Sequence, residues 1–169
     1  MSVAVSSAVA QGVVYIHSTP TSLCPHIGWA LETVLGMSVK LAWAPQPLGR
    51  KLVRTEANWS GTPGTGALLA SALRRCQDLR FEVVEEASYG VDGGRWSYTP
   101  SLGVHHAIVA SNGDALISEN RLRSALAAGD PASVRRELEI ALGSAWDAEL
   151  EPFRHAGENA PVRWLHRVG

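Results

Sequence analysis

Between Gly12 and Glu86 the apolar residues form patterns that read, in order, strand, helix, strand, strand, helix, strand. Gly12-Val-Val-Tyr-Ile-His-Ser18 is β-branched and aromatic, the composition a strand favours. Leu23, Ile27, Ala30, Leu31, Val34 and Leu35 then recur at helical spacing. Pro25 falls in the first turn, where amides have no intrahelical acceptor, and Gly36 supplies a stop. Val39, Leu41 and Trp43 alternate with Lys40, Ala42 and Ala44, which predicts a second strand. The connector Pro45 to Lys51 is too short for a crossover helix, so the third strand, Leu52 to Trp59, should run antiparallel to the second. A Gly-rich turn leads to a helix carrying Leu68, Leu69, Ala72, Leu73 and Cys76, and Leu79, Phe81 and Val83 mark a fourth strand. This order predicts an α+β fold: a ferredoxin-like βαββαβ sandwich, sheet order 4-1-3-2, with both helices on one face. Val14, Ile16, Val39, Leu41, Trp43, Phe81 and Val83 should lie under the helices. Tyr15, His17, Lys40, Arg54, Glu56, Asn58, Glu82 and Glu86 should share the opposite face, too polar for a second core.

Residues 87–103 read as a long irregular loop, rich in glycine around Tyr89-Gly-Val-Asp-Gly-Gly94. Val104 to Ala110 and Ala115 to Ile117 form a hairpin, and Asn112-Gly113 suits a two-residue turn with positive φ at both positions. Helices follow from Glu119 to Ala128, from Pro131 (after an Asp130 cap) to Leu142, and from Ser144 onward, the last burying Trp146, Leu150 and Phe153. Val162 to His166 reads as an edge strand. The chain thus divides into a frayed 1–11, a core 12–86 and an extension 87–169 packed on it as one domain.

The charge balance excludes some function classes. The formal net charge is −1, but residues 1–80 hold seven Lys and Arg against three Asp and Glu, and 81–169 hold eight against thirteen. The asymmetry could orient a partner, or it could simply reflect solvated faces. On the polar sheet face only Tyr15 could stack a base, and Glu56, Glu82 and Glu86 would repel phosphate, so no nucleic-acid partner is expected. Two cysteines make no disulfide framework, the first residues lack the Lys or Arg of a signal peptide, and no apolar run is long enough to span a bilayer. A cytoplasmic protein with no membrane association is the expectation.

The chemistry-bearing residues are few. Cys24-Pro25-His26 opens a helix after a strand, where the helix dipole can activate a thiol, but position 27 is Ile and no resolving cysteine follows. A buried structural cysteine is the competing reading. His17, Cys24 and His26 could approach one another, yet their spacing matches no metal motif and no fourth ligand is evident, so no metal or cofactor is expected. Gly61-Thr-Pro-Gly-Thr-Gly66 could turn its amides on an anion, with Gly61, Gly64, Thr65 and Gly66 as contacts. It is no P-loop: Ala67 and Leu68 stand where Lys and Ser/Thr are required. A plain helix cap is the alternative. His105 and His106 are consecutive in a strand and must face opposite ways.

Several segments carry a resemblance: Gly12-Val-Val-Tyr-Ile-His, Leu23-Cys-Pro-His, Gly64-Thr-Gly66, Gly90-Val-Asp-Gly93, Ser111-Asn-Gly-Asp114, Glu119-Asn-Arg-Leu-Arg123 and Gly143-Ser-Ala-Trp-Asp-Ala-Glu-Leu-Glu-Pro152. From about Gly12 to Val168 the chain resembles a family of uncharacterised actinobacterial proteins known only as a domain of unknown function. The resemblance implies no activity, cofactor or catalytic residue, only a setting near fatty-acid synthesis. The residues themselves lead to two expectations. The first is a non-enzymatic accessory protein that binds a protein partner or forms a homodimer. The second is a binding protein or enzyme for a small anion (a nucleotide, coenzyme A or an acyl carrier), using the Gly61–Gly66 turn with His17, Cys24 and His26.

Overall fold

The computed structural model describes residues 8–156. Its organising element is β1 (Ala10–Pro20), which is hydrogen-bonded on both sides. One neighbour is β3 (Leu52–Gly61) and the other is β4 (Arg80–Glu85), both antiparallel. Gly12 is required in this central strand, because a Cβ there would stand 1.8 Å from the Val84 carbonyl and 2.6 Å from the Trp59 ring. Further along, an extra residue at His17–Ser18 shifts the register against both neighbours, a bulge that re-aims the strand end.

Helices α1 (Cys24–Leu35) and α2 (Thr65–Leu73) cover one face of the sheet. Gly36 ends α1 at φ +67° and donates to the Glu32 carbonyl at 2.8 Å. Ile27 and Leu31 of α1 and Leu69 and Leu73 of α2 are buried against Val14, Ile16, Phe81 and Val83, forming the main core. Each such side chain contributes about 1.5–3 kcal/mol of burial free energy.

The sheet departs from the expected four-stranded order. It has seven antiparallel strands among the described residues, in the order β2 (Ala44–Pro45), β3, β1, β4, β5 (Gly93–Thr99), β6 (Gly103–Val109) and β7 (Ala115–Leu116), so 4-1-3-2 is not the order of the sheet. The first four strands are neighbours within it, but β4 is interior rather than an edge. The supposed loop at 87–103 is the reason: Gly93–Thr99 forms β5, paired along its length with β4 and with β6 (Gly103–Val109). The glycines there mark close backbone approach, since a Cβ on Gly93 would meet the Glu85 carbonyl at 2.5 Å. The second strand is also corrected. Only Ala44–Pro45 pairs with β3, as β2, and a cleft of about 730 Å³ separates Met37–Lys40 from Glu56–Ser60.

The hairpin of β6 with β7 (Ala115–Leu116) forms, but its turn differs from the one expected. Gly113 has φ +92° while Asn112 keeps a negative φ, its side chain accepting from the Asp114 amide at 3.0 Å. Three helices complete the fold: α3 (Glu119–Leu126), α4 (Pro131–Leu142) and α5 (Ser144–His155). Asp130 caps α4 by accepting from the Ser133 amide at 2.9 Å. In α5 Leu150 is fully buried, whereas Trp146 and Phe153 are only half-buried. The edge strand expected at 162–166 lies outside the described residues.

Candidate functional site

The polar sheet face carries α5, and between them lies a cluster of buried charge. Tyr15 and His17 share that face through the two-residue period of β1, their rings 5.9 Å apart and parallel. Glu82, on the neighbouring β4, is 1 % exposed. Its Oε2 lies 2.7 Å from His17 Nε2 and accepts from Arg154 Nε at 3.1 Å. Its Oε1 accepts from Arg154 Nη2 at 2.6 Å and from Ser97 Oγ at 3.3 Å. Arg154 reaches down from α5 and also donates to Asp147 and Glu151 on its own helix, at 2.9 and 3.1 Å. Gln46 closes one end, its side-chain amide donating to the carbonyls of His17 and Phe153 at 2.7 and 3.2 Å.

Burial alone would raise the Glu82 pKa, but the hydrogen bonds and charges of His17 and Arg154 outweigh it and hold it at about 2. For Arg154, burial acts to lower the pKa, and the hydrogen bonds and charges of Glu82 and Asp147 outweigh it upward. A carboxylate this fully engaged and enclosed is not poised to exchange protons with a substrate. It clamps α5 to the sheet. Removing one partner of such a pair strands the other and costs about 3–5 kcal/mol.

The Gly61–Gly66 turn does bind an anion, and the anion is the chain's own. Glu85 Oε1 accepts from the Gly64 amide and Oε2 from the Gly66 amide, each at 2.8 Å. Glu85 is 5 % exposed and sits at the N-terminus of α2, where a negative charge is favoured. A Cβ on Gly66 would press on the Trp96 ring at 2.7 Å and on Glu85 Oε2 at 2.8 Å, so the cradle depends on that glycine. Thr65 does not face a ligand either: its hydroxyl donates to the Thr62 carbonyl at 2.7 Å.

Cys24 and His26 lie elsewhere. Cys24 borders a groove of about 360 Å³ with Gly28, Trp29, Glu32, Leu41 and Trp43. Burial pushes its thiol pKa up, partly opposed by a backbone hydrogen bond, the reverse of activation. His26 is exposed, edge-on to Trp29 at 5.3 Å. His17 is engaged with Glu82 under α5, so the three donors do not converge, and no group of three metal-ligating side chains occurs among the described residues. His105 and His106 face opposite sides as expected. His105 packs on Trp146 and reaches the Ala141 carbonyl at 3.1 Å, and His106 stacks on Trp96 at 4.5 Å. Burial is the main cause that lowers the pKa of each; for His105 the Ala141 hydrogen bond opposes it and the charges of Arg95 and Arg121 add to it, and for His106 the neighbouring His105 adds to it.

Among the described residues, the α3–α4 hairpin leaves apolar side chains exposed. α4 buries no residue, and α3 buries only Ala125. Leu126 is 68 % exposed and Leu142 47 %. Together with Val134 and Leu138 they line a shallow trough of about 540 Å³, flanked by Arg135 and Glu139. A helix draws most of its stability from packing an apolar face; here Val134 and Leu138 are half-buried, while Leu126 and Leu142 are left exposed.

A protein-family model, described as a protein of unknown function (DUF3145), matches residues 13–167. The chain belongs to that family. No curated protein and no solved structure matches it. The family carries no activity to transfer, so the geometry has to supply the functional reading. Two features of that geometry escaped sequence reasoning. The Glu82–Arg154 clamp links residues 72 apart, and the only signal for it was that His17 and Glu82 fell on one polar face. Glu85 as the partner of the Gly-rich turn left no sequence signal beyond an acidic residue at a strand end.

Proposed function

We propose that this chain works through protein–protein contacts, as an accessory or regulatory subunit rather than a catalyst, and that the α3–α4 hairpin makes the contact. The observation that carries this reading is the exposure of Leu126 and Leu142 on a hairpin that is otherwise helical and well capped. The groups that looked chemical support it from the other side. Glu82 is spent on Arg154 and His17, Glu85 is spent on the Gly61–Gly66 turn, and the Cys24 thiol is pushed away from reactivity. The setting we propose is the cytoplasm, near the acyl-chain chemistry that the family resemblance implied.

A photo-crosslinking residue placed at Leu126, with exposed Leu48 as a control position, tests the reading. Crosslinks to polypeptide, from 126 and not from 48, are the expected outcome in cell extract. Crosslinking from 126 no stronger than from 48 would contradict it. The anion-binding alternative has no vacant pair of amides in the Gly61–Gly66 turn to rest on.

A further inference from the structure

We infer that the occupant of the α3–α4 trough is a second copy of this chain, paired about a two-fold axis that lies between the two copies of α4. The inference rests on the hairpin being a contact surface and names the partner. Pro131, Val134, Arg135, Leu138, Glu139 and Leu142 are spaced i, i+3, i+4, i+7, i+8 and i+11, so they form one complete helix face. Along that face a cation and an anion lie one turn apart, beside the leucines. Arg135 and Glu139 are 82 % and 57 % exposed and meet within the helix at only 3.4 Å, so both stay available to a neighbour.

Such a face is complementary to itself. In an antiparallel pairing that sets Arg135 against Glu139 of the copy, the same operation sets Glu139 against Arg135 of the copy. That register brings Leu142 of each protomer over the Pro131 end of the other, where Val134 and Leu126 border the trough. Leu138 then lies beside the axis. Glu137 falls at the centre of the register but well off this face of the helix, so two like charges are not pressed together. The whole chain carries a net charge of −1, so copies do not repel at long range. A heterologous partner would need no such balance of charge about the centre of one helix.

A contact the length of a three-turn helix is small, so the dissociation constant should be about micromolar. Sedimentation velocity across a concentration series spanning that value tests the inference. The full chain should pass from monomer to dimer. L126E with L142E should remain monomeric at every concentration, and circular dichroism should match the parent, because both positions are exposed. R135E alone sets four carboxylates together and should weaken the dimer at least tenfold. The exchange R135E with E139R should restore it, because the two-fold operation restores both pairs. The exchange also turns the i, i+4 ion pair into the favoured order, the acid preceding the base, so the helix itself is not weakened.

A chain that stays monomeric throughout overturns the inference, as does an exchange variant no better than R135E alone. These failures differ from failure of the broader reading. If Leu126 crosslinks only to a different protein, self-pairing falls and the contact surface stands. If it crosslinks to nothing, both fall.

Discussion

Glu82 receives hydrogen bonds from two strands and a helix, and its ionised state is worth stability only while those partners are in place. Its folded pKa of about 2 lies below the ordinary carboxylate value of about 4.3. The stabilisation is therefore complete above about pH 4.3 and is lost as pH falls toward 2. Urea unfolding at pH 6 and pH 3 should show a drop in stability, and Glu82→Gln should be less stable at pH 6 and lose much of that drop. A variant with an unchanged pH profile would show that the carboxylate is not the group responsible. Part of this was legible in the chain: alternation along β1 and β4 puts Tyr15, His17 and Glu82 on one face. The cation was not, because Arg154 arrives from a helix that periodicity can locate but not dock.

At the scale of elements, local chemistry and long-range packing had unequal reach. Pro25 with Gly36, and Asp130 with Pro131, mark helix ends in sequence and in structure alike, because caps involve neighbours in the chain. β5 is hidden in the sequence because Gly93 and Gly94 look like loop residues; in the sheet the Glu85 carbonyl of β4 leaves no room for a Cβ on Gly93, and the Trp96 ring leaves none on Gly94. β2 was overestimated for the converse reason. Val39, Leu41 and Trp43 alternate, yet they pack against the main core from an extended segment, and Thr55 Oγ1 reaches the Ala42 carbonyl at 2.8 Å without a ladder forming. Pro45, with no N–H, limits the pairing there. The Gly61–Gly66 turn reads in sequence as either a helix cap or an anion site, and in the structure its Gly64 and Gly66 amides are taken by Glu85 from the end of β4, a partner the local sequence does not reveal. Glu85→Ala should therefore lower the melting temperature and leave two donors open at the start of α2. Added sulfate should then raise the melting temperature of the variant more than that of the parent chain. Equal shifts would mean that the cradle collapses without its carboxylate.

Over the whole molecule, the sheet separates two kinds of burial. α1 and α2 close a dry core on one face, while α5 is held to the other by Leu150 and a charged clamp. Beyond this body the α3–α4 hairpin leaves Leu126 and Leu142 exposed among the described residues, and that is why we propose it as the contact surface. Amide hydrogen exchange of α4 tests this most directly, measured in dilute solution and again at high protein concentration. If the hairpin pairs, exchange should slow with concentration in α3 and α4 while β1 and β4 stay unchanged. Fast, concentration-independent exchange along α4 would contradict it.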